Sequence, residues 1–236
     1  MEFNIPEEQD LSYLHSPAPL PPLGIILTQS YIRRYNSWLF WGNLRTQFKI
    51  LNEIVESEAS YVENLHILMS VFYSPLKSIS ITNREIDETK ITTIFGEVEI
   101  VLSVNQDFYN QLKACLTHAN PIRAIADAFL RYTPYMEISY SRYVQNYDES
   151  IKTLNWATQN SQNFANFLEE QQKHPYYGSL SLPSLLISPI QRLPKYELLL
   201  KELLKHSTSM ETTSVLNSAL SAIQSVSHTV DSLLKQ

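Results

Sequence analysis

The chain has 236 residues, 44% of them hydrophobic, with 24 acidic against 18 basic side chains and only four glycines, Gly24, Gly42, Gly96 and Gly178. No two of these glycines are close enough to build a phosphate-cradling loop, a dinucleotide fingerprint or a nucleophile elbow, and hairpin-rich β folds want glycine turns that the chain lacks. A net charge of −6 with no broad basic face speaks against nucleic acid, and no apolar run reaches the length of a membrane span.

Residues 1–32 carry four acids (Glu2, Glu7, Glu8 and Asp10) and no base, while the remainder is near neutral with 20 acids and 18 bases. Five of the twelve prolines fall in the first 22 residues, and Pro17-Ala-Pro-Leu-Pro-Pro22 reads as a polyproline II tether or a ligand for an SH3-type groove. Cys115, the one cysteine, has no internal disulfide partner, which fits a reducing, cytoplasmic setting.

From residue 28 onward, apolar residues recur at three- and four-residue spacing with few breakers, the mark of amphipathic helices. The spacing predicts a short helix near 28–41 and a long one near 45–75, ended by Pro75. Further helices are expected at about 87–118, 121–158, 161–173, 183–207 and 210–235. Pro121 suits a first turn, Pro134 a kink, and Pro194 a bend or a new start. The fold class is all-α, an elongated bundle of about six main helices. Residues 1–44 form an acidic, Pro-rich lead with a short extra helix, and residues 45–236 form the working domain. Thr28–Tyr35 weakly resembles an IQ motif, which would suit a calmodulin-like partner; an extra helix packing Trp38, Phe40 and Trp41 on the bundle is the plainer reading.

Two helix faces depart from a simple bundle. Wound at about 100° per residue, Leu51, Ile54, Val55, Tyr61, Val62, Leu65, Leu68, Met69 and Phe72 form one stripe, with Glu53, Glu56 and Glu63 opposite. Glu58 falls in the middle of the stripe, where a bare carboxylate costs several kcal/mol. Either it pairs inside the bundle, for instance with an arginine, or the stripe leaves the core there and Glu58 meets another molecule. In residues 185–206, Leu185, Leu186, Leu193, Tyr196, Leu199, Leu200, Leu203 and Leu204 make a wide core side. Ser188, Gln191, Lys195, Leu198 and Glu202 run along the far side with Ile187 at its margin. Such a mix of polar groups around an apolar patch suits protein recognition.

These segments resemble a known family. Glu53-Ile-Val-Glu-Ser-Glu-Ala-Ser-Tyr-Val-Glu-Asn-Leu65 looks like the first conserved region of Dbl-homology (DH) domains, the exchange-factor modules for Rho-family GTPases. Pro189-Ile-Gln-Arg-Leu-Pro-Lys-Tyr-Glu-Leu-Leu-Leu-Lys201 matches the third region at every position, and Ile94-Phe95, Glu97-Val98 and Asn105 resemble the middle one. The resemblance covers about residues 46–235.

It implies a DH-type bundle and a guanine nucleotide exchange factor that speeds GDP release from a Rho, Rac or Cdc42-type GTPase, with no cofactor, metal or covalent chemistry. By the resemblance, Glu58 contacts switch I, Gln191 and Lys195 contact switch II, and Leu198 and Glu202 are candidates for choosing among GTPases. Arg192 is expected to tie helices together. Asp231 stands where the family commonly has an asparagine that touches switch II, which keeps open an exchange-inactive scaffold that binds a GTPase or another partner. No pleckstrin-homology (PH) domain follows in this chain, which is read as a fragment or a solitary module, recruited to membranes by parts outside it. The six histidines are scattered without metal-ligand spacing, so chemistry of its own is the least favoured reading.

Overall fold

Apolar side chains at helical spacing fold as helices in the computed structural model, which describes residues 23–83, 87–174 and 180–235. In chain order these are α1 (Leu23–Ile67), a π-helical turn (Leu68–Tyr73), α2 (Ser74–Asn83), α3 (Glu88–Phe95), α4 (Val98–Cys115) and α5 (Pro121–Asn160). Then follow α6 (Gln162–Gln172), α7 (Leu182–Leu186), α8 (Ser188–Lys205) and α9 (Met210–Leu233). The described residues contain no strand and no helix long and apolar enough to cross a membrane. Residues from Arg45 onward form one compact unit and those up to Leu44 another. The proline run at 17–22, with its SH3-type partner, lies outside the described residues. So do the side chains of the IQ-like segment with its calmodulin-like partner, and those of Trp38, Phe40 and Trp41.

Several boundaries differ from the spacing-based expectation, each for a local reason. The two expected helices at 28–41 and 45–75 are one helix up to Ile67, running through Gly42. A single helical glycine costs about 1 kcal/mol, less than the ~2 kcal/mol that burial of Leu51, Ile54 or Leu65 each contributes. The chain does not stop at Pro75. It widens into the π turn, burying Leu68 and Phe72, and Pro75 enters the first turn of α2, where a missing N–H is tolerated.

The expected helix at 87–118 is broken at Gly96, which has φ +52° and donates its N–H to the carbonyl of Thr92 at 2.8 Å. The last carbonyls of α3 are taken by α5: Asn146 Nδ2 donates to Thr93 O at 2.7 Å and Ser150 Oγ to Ile94 O. A Cβ on Gly96 would sit 2.8 Å from Asn146 Nδ2. Gly96→Ala therefore combines a disfavoured φ with a clash against this cap, and is expected to lower stability by about 1–3 kcal/mol in chemical unfolding.

The expected helix at 183–207 divides at Ile187 into α7 and α8. Pro189 has no N–H for the carbonyl of Leu185, which accepts from Ser188 Oγ at 2.7 Å instead. Pro194, where a bend or restart was expected, lies inside a helix that runs on to Lys205.

The core is centred on α5, which packs along α9, α4 and α3, while α8 packs on α9. Its aromatic centre joins three helices: Phe108 and Phe129 lie with ring centroids 5.0 Å apart, and Tyr196 of α8 meets them edge-on at 5.9 and 5.4 Å.

Candidate functional site

Helices α1 and α8 run antiparallel. Gln47 Nε2 donates to the carbonyl of His206 at 2.7 Å near the end of α8, and Glu58 meets Arg192 near its start. Glu58 is 0% exposed and Arg192 4%. One carboxylate oxygen, Oε2, accepts from Arg192 Nη2 at 2.5 Å, Arg192 Nε at 3.1 Å and the Tyr196 hydroxyl at 2.7 Å. Arg192 Nη2 also donates to Ser57 Oγ at 3.3 Å, and the guanidinium lies 4.5 Å from the Tyr196 ring centroid and 5.2 Å from that of Tyr61. The other oxygen, Glu58 Oε1, is buried with no hydrogen-bond partner among the described residues.

A second tier holds this pair. Asn105 Oδ1 lies 3.1 Å from the hydroxyls of both Tyr140 and Tyr196, and Asn105 Nδ2 donates to the carbonyl of Val101 at 2.7 Å. The Tyr140 hydroxyl donates to that of Tyr61 at 3.2 Å. Burial raises the pKa of the Glu58 carboxyl, against the pull of Arg192, the Tyr196 hydrogen bond and the charge of Lys195. Burial likewise pushes the Tyr61, Tyr140 and Tyr196 hydroxyls up, so all three stay neutral.

This geometry corrects the reading of Glu58 as a surface contact. A wholly buried carboxylate bonded to Arg192 cannot reach a molecule docked on the bundle, so Glu58 is an internal group. Arg192, expected to tie helices together, does so.

The remaining candidates lie on the surface beside this node. Taking Arg192 as the inward direction, Gln191, Lys195, Leu198 and Glu202 fall within a strip about 60° wide on the flank of α8 nearest α1. Gln191 and Lys195 are exposed, and Leu198 is 67% exposed. Glu202 is half-buried, with its carboxylate 3.0 Å from His206 Nε2 and 3.8 Å from Lys205 Nζ. Asp231 is exposed on α9. It stands one turn beyond Ser227, which with Gln224 reaches Glu197 of α8; burial opposes ionisation of Glu197, but its hydrogen bonds to Lys201, Ser227 and Gln224 hold the carboxyl below its usual range. Asp231 thus lies on the α9 side of α8, and the strip from Gln191 to Glu202 lies on the α1 side.

Spacing alone missed one residue. Glu53, read only as part of the solvated side, is exposed one turn before Ser57 on the flank of α1 that meets Arg192. In the antiparallel register it is level with the stretch between Leu198 and Glu202. An exposed acid four residues before a residue at the helix–helix seam was the available signal. No group of three or more metal-ligating side chains occurs among the described residues.

A family model described as the RhoGEF domain matches residues 50–231. Among curated relatives, the chain is 32% identical over 165 residues to Rac guanine nucleotide exchange factor JJ of Dictyostelium discoideum, covering 70% of this chain and 14% of that protein. It is 32% identical over 164 residues to human FYVE, RhoGEF and PH domain-containing protein 2, covering 68% and 25%. The chain therefore spans a quarter or less of the length of these two relatives. Among solved structures, one of the Vav1 exchange factor, concerned with the structural role of its PH and C1 domains, superposes with a TM-score of 0.74 at 26% identity. That match covers 82% of this chain and 50% of the other.

Proposed function

The chain belongs to the RhoGEF domain family, and on that premise we propose that residues 45–236 act as a guanine nucleotide exchange factor for a Rho-type GTPase. The observation that carries the proposal is the exposed strip Gln191–Lys195–Leu198–Glu202 on α8. It offers an amide, an ammonium, a carboxylate and an uncovered leucine on one helix flank, a composition that suits an interface core better than a solvated face.

Exchange on this reading needs no covalent step. A surface that binds the nucleotide-free GTPase more tightly than the loaded form weakens nucleotide binding by the same factor. Gln191 and Lys195 engage switch II, and Glu53, the exposed acid across the seam, takes the switch I contact first assigned to Glu58. Leu198 and Glu202 lie at the same level as Glu53 and select among GTPases by apolar fit and charge. The single cysteine, Cys115, supports work in the reducing cytoplasm.

Asp231 favours a second reading. A carboxylate in place of an amide loses two donors and adds a charge at the edge of the face, which suits a bundle that holds a GTPase without emptying it. Release of a fluorescent GDP analogue from a panel of purified Rho-, Rac- and Cdc42-type GTPases tests both. Acceleration of one or more panel members is the expected result. Binding to a nucleotide-free GTPase with no acceleration anywhere would select the scaffold.

A further inference from the structure

Away from α8, a second concave surface joins free charge to an uncovered aromatic ring. Helices α3 and α5 are clasped at the C-terminal end of α3, where Asn146 and Ser150 take the carbonyls of Thr93 and Ile94. Towards the start of α3 they frame a groove of about 490 Å³, lined by Thr89, Lys90 and Thr93 of α3 and by Glu149, Lys152 and Trp156 of α5. Residues 149, 152 and 156 recur at helical spacing and so share one face of α5. The groove lies apart from the α8 strip. Tyr143, whose hydroxyl donates to the carbonyl of Leu186, marks the level of α7 on α5, and Trp156 is about 20 Å of helix beyond it. Helix α8 heads the other way, bringing Tyr196 to Phe129.

Three features decide what the groove can take. Trp156 is 43% exposed, and Lys90 Nζ sits 4.3 Å from its ring centroid. That contact holds the ring in place and leaves the rest of it open to an apolar group. Lys90 and Lys152 make no salt bridge among the described residues, so both ammonium groups line the groove without a carboxylate in contact. The third feature is a set of lone pairs. Thr93 Oγ1 donates to the Thr89 carbonyl at 2.9 Å, and Thr89 Oγ1 donates to Asp87 Oδ2 at 2.7 Å. Both hydroxyl protons are thereby engaged, and these oxygens offer only acceptors, as the Glu149 carboxylate does.

Two cations call for an anionic ligand, yet the acceptors beside them call for N–H groups. Inorganic phosphate carries no N–H, and a flat anionic membrane surface does not enter a groove. A peptide segment supplies both kinds of group, with carboxylates on its side chains and N–H groups along its backbone.

We infer that the α3–α5 groove docks a short acidic peptide segment of a partner protein. Its carboxylates pair with Lys90 and Lys152, an apolar side chain between them covers Trp156, and its backbone N–H groups meet Thr89, Thr93 and Glu149. The site does not depend on the exchange reading, and it would anchor the bundle while leaving the α8 strip uncovered.

The test uses the full chain and fluorescein-labelled hexapeptides in fluorescence polarisation. One panel places each apolar residue between pairs of acids; the comparison peptides carry Gly-Gly between the same acids, or the apolar residues between lysines. Members of the acidic apolar panel are expected to bind, the Gly-Gly peptide more weakly and the lysine-flanked peptides not at all. Lys90→Glu with Lys152→Glu should weaken binding roughly tenfold or more, and Trp156→Ala about fivefold. Lys113→Glu with Lys173→Glu, exposed and elsewhere on the bundle, should leave it within about twofold. Unchanged circular dichroism shows that each variant is folded, and the charge reversals decide the matter if Trp156→Ala alters the packing. Failure of every acidic member to bind at about 1 mM overturns the inference, as does an equal loss in the control reversals. Phosphatidylserine vesicles that bind through Lys90, Lys152 and Trp156 when no peptide does would make the surface a membrane contact instead. Self-association of the chain abolished by the same variants, again without peptide binding, would make it a contact between copies.

Discussion

Replacing Gln191 and Lys195 together by alanine should return GDP release from a responsive GTPase to its unassisted rate while leaving the bundle intact. Both side chains are exposed and neither belongs to the buried node. Surface substitutions of that kind change stability by about 0.5 kcal/mol or less, so the circular dichroism and melting temperature should match the parent's. The effect on exchange is of another order. Interface anchors contribute about 2 kcal/mol or more each, roughly a factor of 30, and two anchors on one strip together reach about a thousandfold. Only contacts stronger with the nucleotide-free GTPase than with the loaded one accelerate release. The loss should thus be seen in affinity for the nucleotide-free form, with little change for the GDP form. A double variant as fast as the parent would remove this face from the mechanism.

The sequence separates what local chemistry decides from what distant partners decide. Helices α5 and α6 begin within a residue of expectation because their starts carry their own signals: Asn120 before Pro121, and Ser161 accepting the N–H of Phe164. Boundaries set by tertiary partners were less legible. The break at Gly96 depends on Asn146 and Ser150, fifty or more residues away. The break before α8 follows from Pro189, whereas the eye falls on Pro194 in the middle of the helix. No local pattern announces the π turn, because its extra residue is set by how Leu68 and Phe72 reach the core.

Glu58 is the instructive residue of the candidate site. Its place in the middle of an apolar stripe already argued for burial with an internal partner, and Arg192 at the margin of the other core face was already read as a tie between helices. The family resemblance drew the acidic contact onto Glu58, although Glu53 lies in the same motif. A resemblance identifies a motif more securely than it assigns a role to one of several like residues within it. Exposure separates the two acids, since Glu53 faces solvent and Glu58 does not.

Removing Glu58 alone should be the most damaging single change in the bundle. Glu58→Ala leaves the Arg192 guanidinium buried without its counter-ion, and breaking a buried pair from one side costs about 3–5 kcal/mol. That is a large share of the stability of an ordinary domain. Arg192→Ala should cost a similar amount, because it strands the carboxylate. The pH dependence of stability gives an independent signature. Burial holds the Glu58 carboxyl above its ordinary value of 4.5, so the folded chain keeps this proton to a higher pH than the unfolded chain does. Glu58's contribution is then fully present below pH 4.5 and is lost as pH rises through the folded-state value. Arg192, held charged by Tyr196 and Glu58 against the effect of burial, and the raised tyrosines Tyr61, Tyr140 and Tyr196 do not titrate in that window. Comparing the parent with Glu58→Gln cancels the histidines and the surface carboxylates, leaving Glu58 as the difference. The parent's advantage in unfolding free energy over Glu58→Gln should therefore be greater at pH 4 than at pH 7. An advantage that instead grew with pH would mean that Arg192 outweighs burial and holds the carboxyl below its ordinary value.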